Sequence, residues 1–156
     1  MVQADGFLAT KCKAVLVARS SYKDAWEGRF INIEHASKNL ETVANTLLRI
    51  GFAEDDIVRL EDPNMEEVKT EIKKMGVYAQ KLTEESPDEK LLVFFFFAGN
   101  GLTNKLGDLD LILDKGEFVV VNHMMRLFAS LNNVTALSMY DCSRTKNPKD
   151  DGSEIV

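Results

Sequence analysis

The sequence contains few cysteines and no excess of positive charge, and each shortage excludes a class of protein. Its two cysteines, Cys12 and Cys142, lie far apart, so we expect neither a disulfide framework nor a zinc site, and a reducing compartment fits. A net charge of −6 disfavours nucleic acid and anionic membranes as partners. No apolar run has transmembrane length and no targeting peptide is recognisable, so we expect a cytoplasmic protein.

The length of 156 residues and the 45% share of hydrophobic residues are ordinary for one globular domain with its own core. We therefore predict a single domain over residues 1–156. Its last part, residues 145–156, is polar, contains Pro148 and Gly152, and is predicted to be a C-terminal tail.

Two apolar segments carry most of the information about the fold. Leu91 to Phe97 is continuously apolar, which predicts a central strand that is covered on both faces. The next residues, Ala98 to Gly101, are predicted to form a glycine-rich turn at the carboxyl end of that strand. A second strand, Val134 to Tyr140, ends in Asp141 to Arg144, so both strand ends should present polar side chains to one crevice.

The other elements follow from apolar periodicity and from helix capping residues. Their alternation predicts an α/β fold with a mostly parallel sheet, helices on both faces and a small β-hairpin. The polar connection Arg19 to Ile33, with Trp26, is long enough to be a working loop. The predicted strands are Lys13 to Ala18, Ile57 to Leu60, Leu109 to Leu113 and Phe118 to Val121, and the last two form a hairpin around a turn at Asp114 to Glu117. The first predicted helix is Ala36 to Ile50. The second is capped by Asn64 and runs to Leu82, and the third is capped by Asn122 and runs to Ser130.

Common cofactor sites find little support in the sequence. The turn after the first strand, Arg19 to Tyr22, has no glycine fingerprint, and the phosphate-binding GxxxxGK[ST] pattern is absent. Asp108, Asp110 and Asp114 fall in the hairpin, where alternating Asp is common, so they do not make a calcium site. We predict no metal and no cofactor. A doubly wound domain that binds a small molecule or nucleotide stays open as an alternative.

The two strand ends carry a resemblance to caspases and metacaspases. FFFFAGNG, residues 94–101, resembles their YSGHG-type segment, and YDCSR, residues 140–144, resembles the DCCH, DCCR or DSCH segment that holds their nucleophile. A hairpin and a short helix separate the two motifs, as in that family, and the resemblance extends from Lys13 to Thr145. It implies a caspase-like three-layer sandwich of the large-subunit type.

The resemblance also implies where catalysis would occur. The family's histidine position falls on Asn100 and its nucleophile position on Ser143, with Cys142 one place earlier. Asparagine cannot accept a proton near neutral pH, and loss of a general base costs about 10²- to 10⁴-fold in rate. We therefore expect an inactive pseudopeptidase. The alternatives are a cysteine peptidase in a disabled form, or residual hydrolysis by Cys142 with His35, which the alternation of side chains along a strand disfavours.

The substrate pocket implied by the resemblance is depleted as well. Metacaspases bind a basic side chain in an acidic pocket, and the corresponding positions here are Asn32, His35, Ala98 and Asp141. Only Asp141 is acidic, so a Lys or Arg side chain would lose most of its charge-assisted hydrogen bonds. Peptide capture should be weakened together with cleavage.

The sequence after Cys142 suggests a need for a partner. About fourteen residues cannot build the small-subunit region that adds further strands in this family, so Val134 to Tyr140 is expected to be an edge strand. We expect another protein chain to pair with it: a small-subunit-like partner, a relative or a second copy. The predicted role is protein–protein contact, either as a structural subunit of a larger assembly or as a dimerisation partner that modulates an active relative.

Overall fold

A computed structural model describes residues 2–4, 7–22, 30–113 and 117–146. These ranges form an N-terminal hairpin and a six-stranded sheet flanked by three helices. The elements are β1 (Val2–Ala4), β2 (Phe7–Ala9), β3 (Lys11–Ala18), α1 (Ala36–Arg49), a 3₁₀ turn (Glu54–Asp56), β4 (Ile57–Glu61), α2 (Met65–Glu85), β5 (Leu91–Thr103), β6 (Leu109–Ile112), β7 (Phe118–Val120), α3 (Val121–Ala129) and β8 (Val134–Lys146).

The sheet is organised around β5. Its first part pairs in parallel with β3, which in turn pairs in parallel with β4. Its last three residues pair with the antiparallel β6–β7 hairpin. On its other side, β8 runs parallel to β5 over all 13 residues of both strands. The predicted mostly parallel α/β fold is confirmed.

Alternate side chains of β5 enter two separate hydrophobic cores, because neighbouring residues on a strand point to opposite faces. The side chains of Phe95 and Phe97 lie in the core beneath α2 and α3, whereas Phe96 and Ala98 lie in the core beneath α1. Each of these four residues is no more than 2% exposed. This double burial confirms the prediction of a central strand covered on both sides and gives the three layers of the sandwich.

Capping residues mark two helix ends as predicted, the start of α2 at Asn64 and the end of α1 before Gly51. Asn64 accepts a hydrogen bond from the Glu67 N–H (3.0 Å), and the Glu67 carboxylate accepts one from the Asn64 N–H (2.8 Å), which forms a capping box at the start of α2. Helix α1 ends at Arg49, and Gly51 adopts a φ of 109°, which glycine tolerates best. Helix α2 runs to Glu85, three residues beyond the prediction.

Two predicted strand ends are wrong. Residues 98–101 are not a turn, because β5 continues to Thr103, and residues 141–144 do not follow a strand, because β8 continues to Lys146. The two segments pair with each other across the sheet. This pairing supplies backbone hydrogen bonds that keep the glycine-rich segment extended, and a local turn preference cannot match that contribution.

Smaller differences concern the ends of the chain and the third helix. Helix α3 begins at Val121, so Asn122 lies within its first turn and does not cap it. The β1–β2 hairpin was not predicted. Trp26, most of the predicted hairpin turn and residues 147–156 lie outside the described residues, whereas residues 145 and 146 of the predicted tail belong to β8. Within the described ranges, no helix is both long and apolar enough to span a membrane.

Candidate functional site

The register between β5 and β8 brings the two family-like motifs together. Asn100 is the Cα partner of Ser143, and Ala98 is the partner of Asp141. Both motifs therefore lie side by side within the sheet, where the resemblance places the family's catalytic pair. They lie within the two paired strands and not beyond their ends, since both strands continue for three more residues after Asn100 and Ser143.

Asn100 is held on both its backbone and its side chain. Its side chain is buried, with the residue only 2% exposed. Its backbone N–H donates to the Tyr22 hydroxyl at 2.7 Å, and its Nδ2 donates to the Ile31 carbonyl at 2.9 Å. The amide group thus fastens the segment before α1 to the end of β5. It offers no basic nitrogen for proton transfer.

Tyr22 is the residue that sequence reasoning missed. It is 1% exposed, and its hydroxyl accepts from the Asn100 N–H while donating to the Ile112 carbonyl at 3.2 Å. Its own backbone N–H donates to Asn32 Oδ1 at 2.8 Å, and its ring lies 6.0 Å from that of Phe30. Burial raises the pKa of Tyr22 well above its ordinary value of 10.0. The sequence offered one signal for the role of Tyr22, which is an aromatic residue soon after a buried strand.

A buried arginine and an aspartate fix the backbone that leads to Tyr22. Asp62 Oδ1 accepts hydrogen bonds from the N–H groups of Ser20 (2.7 Å) and Ser21 (3.0 Å). Arg19, 8% exposed, donates to the Asp62 carbonyl at 3.0 Å, and its guanidinium lies 5.8 Å from the centre of the Tyr22 ring. The turn after β3 is therefore a rigid support for the site.

Two glycines leave room for the neighbours of Asn100. A Cβ atom at Gly99 would overlap the Tyr22 hydroxyl and would lie 2.8 Å from Cζ of Phe97. A Cβ atom at Gly101 would lie 3.0 Å from the Cys142 sulfur. Close packing thus disfavours any larger residue at Gly99 and leaves little room for one at Gly101.

The structure places Cys142 away from the Asn100 amide. Cys142 is half-buried and packs against the core beneath α2 and α3. The Asn100 amide binds Ile31 instead, in the segment that leads to α1. Cys142 is the Cα partner of Gly99, one position away from the partner of Asn100. The side-chain alternation expected from the sequence is present.

The four predicted pocket positions do not form an acidic pocket. Asn32 is exposed and binds the Tyr22 N–H, and His35 is exposed at the start of α1 without a side-chain cap bond. Ala98 is 1% exposed and can offer no polar group. The exposed Asp141 carboxylate accepts from Asn39 Nδ2 at 2.5 Å. Among these four positions a basic substrate side chain would find one carboxylate, already paired with an amide.

The family model of the caspase domain matches residues 11–155. The chain belongs to the caspase domain family. This membership agrees with the two short motifs from which the resemblance was drawn, and it covers nearly the whole chain. A search of the curated proteins gave no match. The caspase domain is a peptidase fold, and this coarse functional class is what the match establishes.

Proposed function

We propose that this caspase-family chain is a pseudopeptidase that acts through contact with other proteins. The observation that carries the proposal is the asparagine at position 100. Asn100 is the Cα partner of Ser143, and the resemblance assigns position 100 to the family's histidine and position 143 to its nucleophile. The lone pair of an amide nitrogen is delocalised into the carbonyl and cannot accept a proton near neutral pH, and this nitrogen already donates to the Ile31 carbonyl. Without a general base, attack on a peptide carbonyl should be slower by about 10²- to 10⁴-fold.

The surface of β8 supports a role in protein contact. Among the described strands β8 pairs with β5 alone. Leu137 and Met139 lie on this strand and are 50% and 52% exposed. From Val134 to Tyr140 the strand has no Lys and no Pro, two devices by which edge strands avoid association. We infer that a small-subunit-like partner, a relative or a second copy adds a strand here within a cytoplasmic assembly.

Restoring the family pair tests the absence of catalysis. The double variant Asn100→His with Ser143→Cys should be assayed beside the parent chain on peptides with basic and with acidic residues before the cut. We expect no cleavage by either protein, because the pocket positions are also changed. A matched control, Asn100→His with Ser143→Ala, reports any hydrolysis that does not use the new thiol.

Two outcomes would contradict this function. Cleavage by the parent chain would show an active enzyme. Cleavage by the double variant that is lost in the Ser143→Ala control would favour the alternative, a peptidase whose cleft is intact and whose reacting groups are disabled.

Cys142 gives a separate test of residual hydrolysis. In a Cys12→Ala background, a thiol-directed probe should label Cys142 slowly at neutral pH, since the residue is half-buried against the core beneath α2 and α3. Rapid labelling, together with a peptide cleavage that Cys142→Ala abolishes, would establish the competing reaction.

The contact role is tested by the size of the chain in solution, alone and mixed with a small-subunit region from an active caspase. We expect the chain to associate and Met139→Lys to weaken the association, because the lysine at this position of β8 would have to be buried in the interface. Leu106→Lys is the matched control, since Leu106 is 86% exposed and lies outside β8. A chain that stays monomeric in both measurements, or equal effects of the two lysines, would contradict the proposal.

A further inference from the structure

We propose that the groove between α2 and α3 binds a single-chain amphiphile with an anionic head group. This site goes beyond the proposed function and is independent of it. The groove has a volume of about 850 Å³, which lies within the range of about 300–1,000 Å³ typical of small-molecule sites. Its main lining residues are Ile72, Lys73, Val77, His123, Met124 and Leu127.

Large apolar side chains form much of the groove, and two of them are exposed. Val77 on α2 is 58% exposed, and Leu127 on α3 is 50% exposed. Beneath them, Ile72 and Met124 are at most 6% exposed and form part of the core. Large apolar side chains that flank one concave surface mark a binding site more often than a scattered set does. An alkyl chain would bury both exposed residues.

Gly76 lies in the middle of α2 and opens the groove. Glycine is the poorest helix former after proline, so its presence needs a reason. Its φ is not positive, and a Cβ atom there would meet only Leu127 Cδ1, at an ordinary 3.9 Å. Neither backbone conformation nor packing requires glycine at this position. Its effect is to leave free space beside Leu127.

The two helices run side by side in the same direction, which gives the groove two different ends. At one end, the Met65 N–H donates to Glu117 Oε2 at 3.3 Å. At the other end, Thr83 Oγ1 donates to Asn133 Oδ1 at 2.6 Å. Residues early in α2 therefore lie near the start of α3, and residues late in α2 lie beyond its end.

Basic side chains share the first half of the groove. Lys69, Lys73 and His123 line it there. Lys69 lies 3.7 Å from the exposed Glu66 carboxylate, but Lys73 forms no ion pair with any residue that the structure describes. A flexible lysine can place its ammonium over the groove while its stem covers apolar surface. Lys73 is therefore the natural partner of an anionic head group.

The length of the groove beyond Lys73 suits an alkyl chain. From Lys73 to Thr83, α2 rises about 15 Å at 1.5 Å per residue. Val77 on α2 and Leu127 and Leu131 beside it give this part of the groove its apolar lining, whereas Gln80, Thr83 and Glu84 line its far end. A partner helix, about 10 Å across with its side chains, would fill about 1,200 Å³ over this length and would exceed the groove, whereas a single alkyl chain fits within it. An anionic membrane is disfavoured by the net charge of −6. These features favour a monomeric ligand such as a fatty carboxylate.

The test is a titration of the full chain with dodecanoate, kept monomeric and followed by calorimetry and by amide NMR shifts. We expect saturable binding with shifts at Val77 and Leu127. Lys73→Gln should weaken it about three- to tenfold, since it removes one exposed charge-assisted contact. Lys81→Gln is the matched control, because Lys81 is on the same helix but outside the groove, and it should leave affinity unchanged.

A second variant keeps the proposal falsifiable if charge effects prove small. Gly76→Leu fills the groove and improves helix propensity, so a thermal melt should show a folded protein whose binding is lost. Absence of saturable binding, unchanged binding in this variant, or equal affinity for dodecyltrimethylammonium would overturn the proposal. So would binding to anionic vesicles without binding to monomeric dodecanoate.

Discussion

Phe96 on β5 and Met139 on β8 are Cα partners on the same face of the sheet, yet their surroundings differ completely. Phe96 is 2% exposed in the core beneath α1, whereas Met139 is 52% exposed. Helix α1 therefore covers the centre of this face but leaves Leu137 and Met139 of β8 exposed, although its Asn39 reaches Asp141 farther along that strand. On the opposite face, Ala136 and Tyr140 of β8 do pack against the core beneath α2 and α3. The exposed face of β8 is the surface at which we propose that a partner binds.

Truncating the two partners gives the largest expected contrast. Phe96→Ala should lower the free energy of unfolding by about 3–5 kcal/mol, because it leaves a cavity in a packed core. Met139→Ala should change it by less than about 0.5 kcal/mol in the isolated chain. Urea unfolding of both variants measures the contrast. A large loss from Met139→Ala would mean that this face is already covered.

Adding one methyl group at two glycines sharpens the distinction between closed and open regions. Gly99→Ala should lower the free energy of unfolding by about 1–3 kcal/mol, because the new Cβ overlaps the Tyr22 hydroxyl and Phe97. Gly76→Ala should raise it by about 0.5–1 kcal/mol through helix propensity. Thermal unfolding separates the two, and destabilisation by Gly76→Ala would show that the groove is tighter than its geometry indicates.

Removing the Tyr22 hydroxyl tests the hydrogen bonds at the site. Tyr22→Phe leaves the buried Asn100 N–H without this acceptor and should cost about 1–2 kcal/mol. Urea unfolding gives the loss. Tyr78→Phe is the control and should cost less, because Tyr78 is half-buried and its hydroxyl makes no hydrogen bond to a residue that the structure describes. Equal losses would contradict the view that the end of β5 depends on Tyr22.

The same hydroxyl predicts a pH dependence. Burial raises the pKa of Tyr22 in the folded state, so the folded protein keeps a proton that the unfolded chain loses near 10.0. Stability from this group is therefore fully present below that pH and declines above it, by at most about 1.4 kcal/mol per pH unit. Unfolding between about pH 9 and pH 11 should show a shallower decline for Tyr22→Phe. Some decline should remain, because burial also raises the pKa of Tyr140.

The sequence predicted the order of the main elements, since apolar periodicity and caps act locally. It did not predict that β5 and β8 extend through their motifs. Ala98 to Gly101 has the composition of a turn, and pairing with distant residues keeps it extended: residues 141–144 on one side, and Ala18 and Leu111 on the other. The position of Asn100 was predicted through its motif. The role of Tyr22 was not, because its bonds reach residues 100 and 112, which no local pattern connects.

The double burial of β5 limits how the length of this protein can vary. Gain or loss of one residue within Leu91–Thr103 would exchange the side chains that enter the two cores and would shift Asn100 away from Ser143. Substitutions keep this alignment, whereas insertions destroy it. Chemistry at positions 100 and 143 can therefore be exchanged by point changes alone, while insertions must fall in the connections between elements.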